Sequence, residues 1–280
     1  MKKQKTFKQI GGLVKNPEKY LNRLLISTPS TGLFRAEWVH ARHSQIIPTN
    51  WSAQTITQFM NSLIPVEYSV ADAYNLIVKS ALESKVEWLL TIEQDNVLPL
   101  DAFIRINEYM RKGDIPVVSA LYFTKSVPPE PILYRGNGNG YFSDWKLGDK
   151  VWVTGIPQGF TLYHMSVMKA MWNESPEYVV SGTTTRRIFE TPNRILVDPE
   201  TGGMVSETGT QDLAWCKRVI KESFLEKSGW GNFVKTHPVN QMLVDTNILV
   251  KHITLDGQQF PLSMPSEFIP EKDYKPQERL

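Results

Sequence analysis

Glu87-Trp88-Leu89-Leu90-Thr91-Ile92-Glu93-Gln94-Asp95-Asn96-Val97-Leu98-Pro99 decides how the rest of this chain is read. Trp88 to Ile92 is a short, mostly apolar run, the pattern of a strand buried in an α/β sheet. It stops abruptly at Glu93-Gln94-Asp95-Asn96. Two carboxylates one residue apart, just beyond a buried strand, fall at the carboxyl edge of the sheet, where open α/β folds bind ligands. Carboxylate oxygens suit hard divalent cations such as Mg2+ or Mn2+, and these in turn hold phosphate oxygens. Glu93 and Asp95 are therefore read as a metal–diphosphate site. The same residues also read as a polar turn after a strand, with Asp95 and Asn96 as turn formers. Taken alone they do not separate the two readings.

Working outward, the flanks alternate. Leu24 to Thr28 reads as a first buried strand, closed by the turn chemistry of Pro29-Ser30-Thr31-Gly32. Small hydroxyl residues and a glycine there let backbone and hydroxyl groups approach a nucleotide, although a plain strand-to-helix turn has the same composition. Phe34 to Arg42 has helical spacing, and Thr55 to Phe59 reads as a strand. Ser69 to Ser84 is an amphipathic helix, with Val70, Ala73, Leu76, Ile77, Ala81 and Leu82 at three- and four-residue intervals and Ser69 as its N-cap. Pro99 to Arg111 is the next helix, and Asp114 to Leu121 contains the next buried strand. This β-α-β alternation argues for a mostly parallel sheet with right-handed crossovers.

Downstream the pattern changes. Pro128-Pro129-Glu130-Pro131 forbids regular structure, and the Gly- and Asn-rich stretch 136–140 reads as a hairpin or loop. Val151 to Thr154 and Phe160 to His164 read as strands, Ser166 to Trp172 as a short helix, and 173–208 as loop-rich. Thr210 to Phe224 is helical, and Gln241 to His252 holds a last strand. The Pro- and charge-rich end after Phe268 is expected to dock weakly or stay disordered.

Length and composition bound the function. The chain has 280 residues, 41% hydrophobic, with a net charge of +2, so it can bury a sizeable core and carries no strong polyelectrolyte signal. Cys216 is the only cysteine, which excludes a disulfide framework. Met1 to Lys8 is basic without the apolar core of a signal peptide, and no run approaches the roughly 20 apolar residues of a membrane span. A cytoplasmic protein with no membrane span is expected.

The order and spacing of several segments together resemble a GT-A-type, nucleotide-sugar-dependent glycosyltransferase of the broad family 2-like kind. The segments are Leu25-Ile26-Ser27-Thr28-Pro29; Ala71-Asp72-Ala73-Tyr74-Asn75 opening a helix; Trp88 to Asp95 in the place of a hydrophobic strand followed by a DxD motif; Gly209 to Cys216, similar to an ED-x-x-F/W-C helix start; and, more weakly, Val250-Lys251-His252. They span residues 24–255. The chain departs from the pattern at Glu93, in place of the first Asp; at Asp72, where relatives often carry Arg; and at Gln211, where Glu is common.

The resemblance implies a Rossmann-like GT-A fold and transfer of a sugar from a nucleotide-diphosphate sugar to an acceptor hydroxyl. It implies a divalent cation (Mn2+ or Mg2+) held by Asp95 and Glu93, with His252 as third ligand, stabilising the leaving diphosphate. Asp212, at a helix start, is implied as the general base of an inverting attack. Thr28, Pro29, Ser30, Asp72, Asn75 and Gln94 are implied around the nucleotide. Gly155 to Gly159 is implied on the acceptor side, and Trp152 and Trp215 are candidates to stack on a sugar. The divisions expected are a basic arm at 1–22, a nucleotide-sugar half at 23–124, an acceptor-binding and catalytic half of the same domain at 125–255, and a tail at 256–280. The acceptor class is open: a glycan, a protein or, given Lys2, Lys3, Lys5 and Lys8, a modified nucleic acid. The rival readings are a nucleotidyltransferase, for which Pro29-Ser30-Thr31-Gly32 is a poor phosphate loop, and a non-catalytic carbohydrate- or nucleic-acid-binding module.

Overall fold

A computed structural model describes residues 24–49, 51, 64–136, 140–197 and 202–262. The expected basic arm, the strand at Thr55–Phe59, residues 137–139 of the Gly/Asn run and the stretch after Phe268 lie outside the described residues. In chain order the elements are β1 (Leu24–Ser27), α1 (Ala36–His43), α2 (Val70–Glu83), β2 (Trp88–Ile92), β3 (Asn96–Val97), α3 (Ala102–Lys112), β4 (Val117–Leu121), β5 (Lys150–Val153) and β6 (Phe160–His164). They continue with α4 (Met165–Glu174), β7 (Glu177–Val180), β8 (Thr183–Arg186), β9 (Asn193–Val197), β10 (Met204–Thr208), α5 (Gln211–Lys221), α6 (Phe224–Lys227), α7 (Gly231–Thr236), β11 (Met242–Leu249), β12 (Lys251–Ile253) and β13 (Gln259–Phe260).

The central sheet has 6 strands in the order β1-β2-β6-β4-β11-β5. β1 and β2 are parallel, as are β4 and β11, while β6 runs antiparallel between β2 and β4 and β5 runs antiparallel at the edge. Strands β1, β2, β4 and β11 therefore share one direction, and their carboxyl ends share one edge. A βαβ reading of 24–121 predicts co-directional β1, β2 and β4. It does not predict that β6, from far downstream, separates β2 from β4. The two halves of the chain are thus interleaved in one sheet.

Alternation in the strands decides which helices each face receives. Leu25, Leu89, Val117, Tyr163 and Val244 face α2, α4, α5 and α6 in one apolar cluster. Leu24, Ile26, Trp88, Leu90, Val118 and Leu243 face α1 and α3 in the other. Side chains at successive strand positions point to opposite faces, so a strand buried on both must be apolar throughout. β2 is buried throughout and meets that condition except at Thr91, whose hydroxyl donates to the Gln158 carbonyl. Helix α2 starts where Ser69 Oγ accepts the Asp72 amide, as its capping role predicts. Its Tyr74, Ile77, Val78 and Ala81 are almost fully buried, each large side chain contributing about 1.5–3 kcal/mol.

Residues 173–208 are more regular than expected: β7 pairs with β8 and β9 with β10, both antiparallel. Ser181 and Gly182, both at positive φ (46° and 80°), form the two-residue turn of the first hairpin between β-branched flanks. These strands are short, β7 and β8 are partly exposed and β9 is exposed throughout, so 173–208 lacks the long apolar runs that mark a buried strand and its composition reads as loop. Among the described residues no helix is long and apolar enough to cross a membrane.

Candidate functional site

The carboxyl edge of the sheet gathers Glu93 and Asp95 beyond β2, Tyr122 to Lys125 beyond β4, and His252 on β12 beyond β11. The meeting of Asp95 with His252 is set by strand register. β3 pairs with β12 so that Asn96 lies opposite His252, and the Ile253 amide donates to the Asp95 carbonyl at 2.8 Å. His252 Nε2 then stands 3.2 Å from Asp95 Oδ2. The other ring nitrogen, Nδ1, is 2.9 Å from the Phe123 carbonyl oxygen. A carbonyl only accepts, so Nδ1 carries the proton, and Nε2 faces the carboxylate as a second donor or as a ligand to a shared cation. This carbonyl-oriented imidazole is the usual outer-shell arrangement of a metal-binding histidine.

Lys125 completes the group: its Nζ lies 2.5 Å from the same Asp95 Oδ2. Asp95 Oδ1 is buried and makes no hydrogen bond. Burial by itself would raise the Asp95 carboxyl, but the hydrogen bond and charge of His252, and then Lys125, hold it down at about 2. Glu93 differs. Burial, then the charge of Asp95, pushes its carboxyl up to about 8, with a smaller rise from Asp212. Burial and the Asp95 charge thus favour the protonated form of Glu93, while His252 and Lys125 favour the ionised form of Asp95.

Glu93 is fixed on every side. Its amide donates to the Gly159 carbonyl at 2.7 Å, its carbonyl accepts from Trp38 Nε1 at 2.8 Å, and Tyr74 Oη lies 3.0 Å from its Oε1. The 157–159 segment is anchored from the sheet. Thr91 Oγ1 donates to the Gln158 carbonyl at 2.8 Å, and Ser119 and Thr161 hydroxyls donate to the Pro157 carbonyl at 3.0 and 2.8 Å. Gly159 then presents a bare Cα to the site. A Cβ there would lie 2.1 Å from Asn96 Nδ2, 2.7 Å from Tyr122 Oη and 2.8 Å from Glu93 Oε2. Only a residue without a side chain lets these groups converge. The side-chain amide of the fully buried Asn96 makes no hydrogen bond within the protein.

Asp212 sits in the first turn of α5, its Oδ1 accepting from the Leu213 amide at 2.8 Å and from the Thr210 hydroxyl. Helix α5 packs on the 155–159 segment, Cys216 Sγ donating to the Ile156 carbonyl and Leu213 lying against Gly155, and the Asp212 charge raises the Glu93 carboxyl and the Tyr122 hydroxyl. Burial raises its carboxyl above the ordinary value.

The residues expected around a nucleotide are placed less uniformly. Gln94 ties the ends of β1 and β2 together: its Oε1 accepts from Ser30 Oγ at 2.6 Å and the Thr31 amide at 2.7 Å. Thr28 and Ser30 are buried, and Pro29 lies between them in the same buried segment. Asp72 braces the N-cap of its helix, its carboxylate accepting from Ser69 Oγ and Tyr178 Oη, each at 2.7 Å. Asn75 directs its whole amide to Tyr178 Oη and the backbone of Ile188 and Phe189, which leaves no capacity for a ligand. The residue of that segment that does touch the acidic cluster is Tyr74. Trp215 is 1% exposed between Tyr163 and Phe189, a core residue with no face for a sugar. Trp152 stacks on His237, ring centroids 3.8 Å apart.

Sequence reasoning missed Lys125, Tyr122, Tyr74 and Asn96. The rule that found Glu93, a polar residue just past the carboxyl end of a buried strand, also applies to Lys125 after β4. Tyr74 and Tyr122 carry no such mark, since buried tyrosines are ordinary core residues.

Among the described residues no three His, Cys, Asp or Glu side chains are gathered closely enough to hold a metal alone. The donors fit a cation completed by substrate. Mg2+-like ions are commonly held by one or two protein groups with phosphate oxygens and water. Asp95 Oδ1 has no other partner, and His252 is oriented by Phe123.

No protein-family model matches this chain, and no curated protein matches it in sequence. Among solved structures, the crystal structure of A197 from STIV is similar at 14% identity and a TM-score of 0.46, over 83% of this chain and 86% of that chain.

Proposed function

We propose that this chain is a GT-A-type glycosyltransferase that moves a sugar from a nucleotide-diphosphate sugar to an acceptor hydroxyl with inversion. The observation that supports the reading is the convergence of Glu93, Asp95, His252 and Asp212 at the carboxyl edge of one sheet, from three separate parts of the sequence.

In this reading Asp95 and His252 hold a divalent cation, with Glu93 behind them. When bound, the cation supplies Lewis-acid stabilisation of the charge that develops on the departing diphosphate. Asp212 takes the acceptor proton at its carboxylate as the hydroxyl attacks the anomeric carbon. Its burial-raised basicity serves that step, because a base works best when its pKa approaches the working pH. Gly159 lets a sugar or its phosphates approach the backbone between Glu93 and Tyr122. Thr31 and Gly32 are exposed in the turn after β1, where Thr31 is held against Gln94.

The test is release of nucleoside diphosphate from a panel of nucleotide sugars, with and without Mn2+, for the native chain and Asp95→Asn. Release that requires both Mn2+ and Asp95 supports the reading. No release from any donor, together with no Mn2+-dependent nucleotide binding, overturns it in favour of a non-catalytic binding module.

A further inference from the structure

Asp95 Oδ2 is approached by two donors, Lys125 Nζ at 2.5 Å and His252 Nε2 at 3.2 Å, while Oδ1 is buried without a hydrogen bond. The crowding of one oxygen beside the bareness of the other is not what a purely structural ion pair requires. Lys125 is carried by a braced loop. The Thr124 amide donates to the Glu130 carbonyl at 2.8 Å, and the Glu130 amide returns to Thr124 Oγ1 at 2.9 Å. Ser126 Oγ donates to the Pro128 carbonyl at 2.8 Å, and Phe123 bridges to Pro131. The backbone is thus held, and the mobile part is the four-carbon stem, whose side chain is 32% exposed.

We propose that Lys125 is the resident counter-cation of Asp95 and that it transfers to the diphosphate of a bound nucleotide, acting as a diphosphate ligand. This rests on the glycosyl-transfer reading above. A half-buried carboxylate needs a positive partner to stay ionised. An ammonium on a flexible stem is a compact point charge that can exchange one anion for another. Once Asp95 takes a divalent cation, Lys125 is repelled from Oδ2, and the nearest strong anion is the diphosphate on that cation. Cation and diphosphate then help each other: each removes what opposes the other, which is a coupling free energy between two ligands. Lys125 would weaken binding of the cation alone and strengthen binding of the diphosphate that follows.

The experiment titrates Mn2+ alone, followed by electron paramagnetic resonance, into the native chain, Lys125→Met, Lys125→Arg and Asp95→Asn. It then titrates uridine or guanosine diphosphate at saturating Mn2+. Loss of a charged hydrogen bond predicts that Lys125→Met binds Mn2+ alone about tenfold tighter and the diphosphate about tenfold more weakly. Lys125→Arg, which keeps the charge, should follow the native chain in both titrations. Methionine keeps the apolar stem, and unchanged near-ultraviolet circular dichroism checks the fold. If Mn2+ binds the native chain through Asp95 but Lys125→Met shows native affinity for either ligand, this proposal falls and the glycosyl-transfer reading stands. If neither the native chain nor Lys125→Met binds Mn2+, whether alone or together with the nucleoside diphosphate, both fall.

Discussion

Replacing Gly159 by alanine tests how the site is built. The added methyl lies 2.1 Å from Asn96 Nδ2, 2.7 Å from Tyr122 Oη and 2.8 Å from Glu93 Oε2. Ordinary contact needs about 3.5 Å, so the Asn96 amide must retreat by more than an ångström. It has little room: Asn96 is fully buried, and it belongs to the strand that sets the register of His252. Tyr122 is tied down as well, its oxygen accepting from the Gly159 amide at 2.6 Å. Gly159 does not use the left-handed backbone region, so alanine is not strained there and the whole effect is contact. Overpacking of about 1–3 kcal/mol, with one weakened buried hydrogen bond of about 1 kcal/mol, gives about 2–4 kcal/mol. For a chain of this size that is about 4–8 °C in Tm. The assay pairs thermal and urea melts with Mn2+-dependent nucleotide binding. Gly155→Ala is the control, because its methyl meets Leu213 and Tyr134 carbons instead of polar groups, and it should lose stability while keeping Mn2+-dependent nucleotide binding. A Gly159→Ala chain within 0.5 kcal/mol of native, a margin of about the usual surface-substitution scatter, with intact nucleotide binding would refute the convergence argued for this point.

Glu93→Gln should change the pH dependence of stability. The folded chain keeps the Glu93 proton up to about pH 8, whereas an unfolded glutamate loses it near its ordinary 4.5, so native stability falls as pH rises through that window. Discounted for partial exposure, the fall is about 2–3 kcal/mol, and Glu93→Gln should lack it; urea midpoints at pH 5 and 9 that shift equally in both chains contradict this. Asn75→Ala strips partners from the Ile188 and Phe189 amides and the Phe189 carbonyl, so a loss of about 3 kcal/mol is expected in urea denaturation, with Mn2+ binding unaffected. Asp212→Asn should lower transfer to an acceptor by at least about 100-fold while sparing Mn2+-dependent nucleotide binding, and a parallel loss of binding in calorimetry would show that Asp212 is not acting as a base.

The strands and helices around Trp88–Ile92 were legible because their signals are local. Period two and period 3.6 are written in neighbouring residues, and Ser69 announces its helix by capping chemistry. The position of Glu93 and Asp95 at a sheet edge followed from the same logic, since a carboxylate just past a buried strand has nowhere else to be. Which groups meet there was not local. His252 reaches Asp95 only because β12 pairs with β3 in one particular register, and Lys125 reaches it only because β4 ends on the same edge as β2. The insertion of β6 between β2 and β4 brings Gly159 to Glu93, and no periodicity encodes strand order. Likewise Asn75 and Trp215, which carry ligand-like chemistry in the sequence, are claimed by the core once 188–189 folds over α2. Local pattern determined which residues form the elements; long-range pairing decided the partners of each polar group, because a buried hydrogen bond is satisfied by whatever the fold brings within three ångströms or so of it.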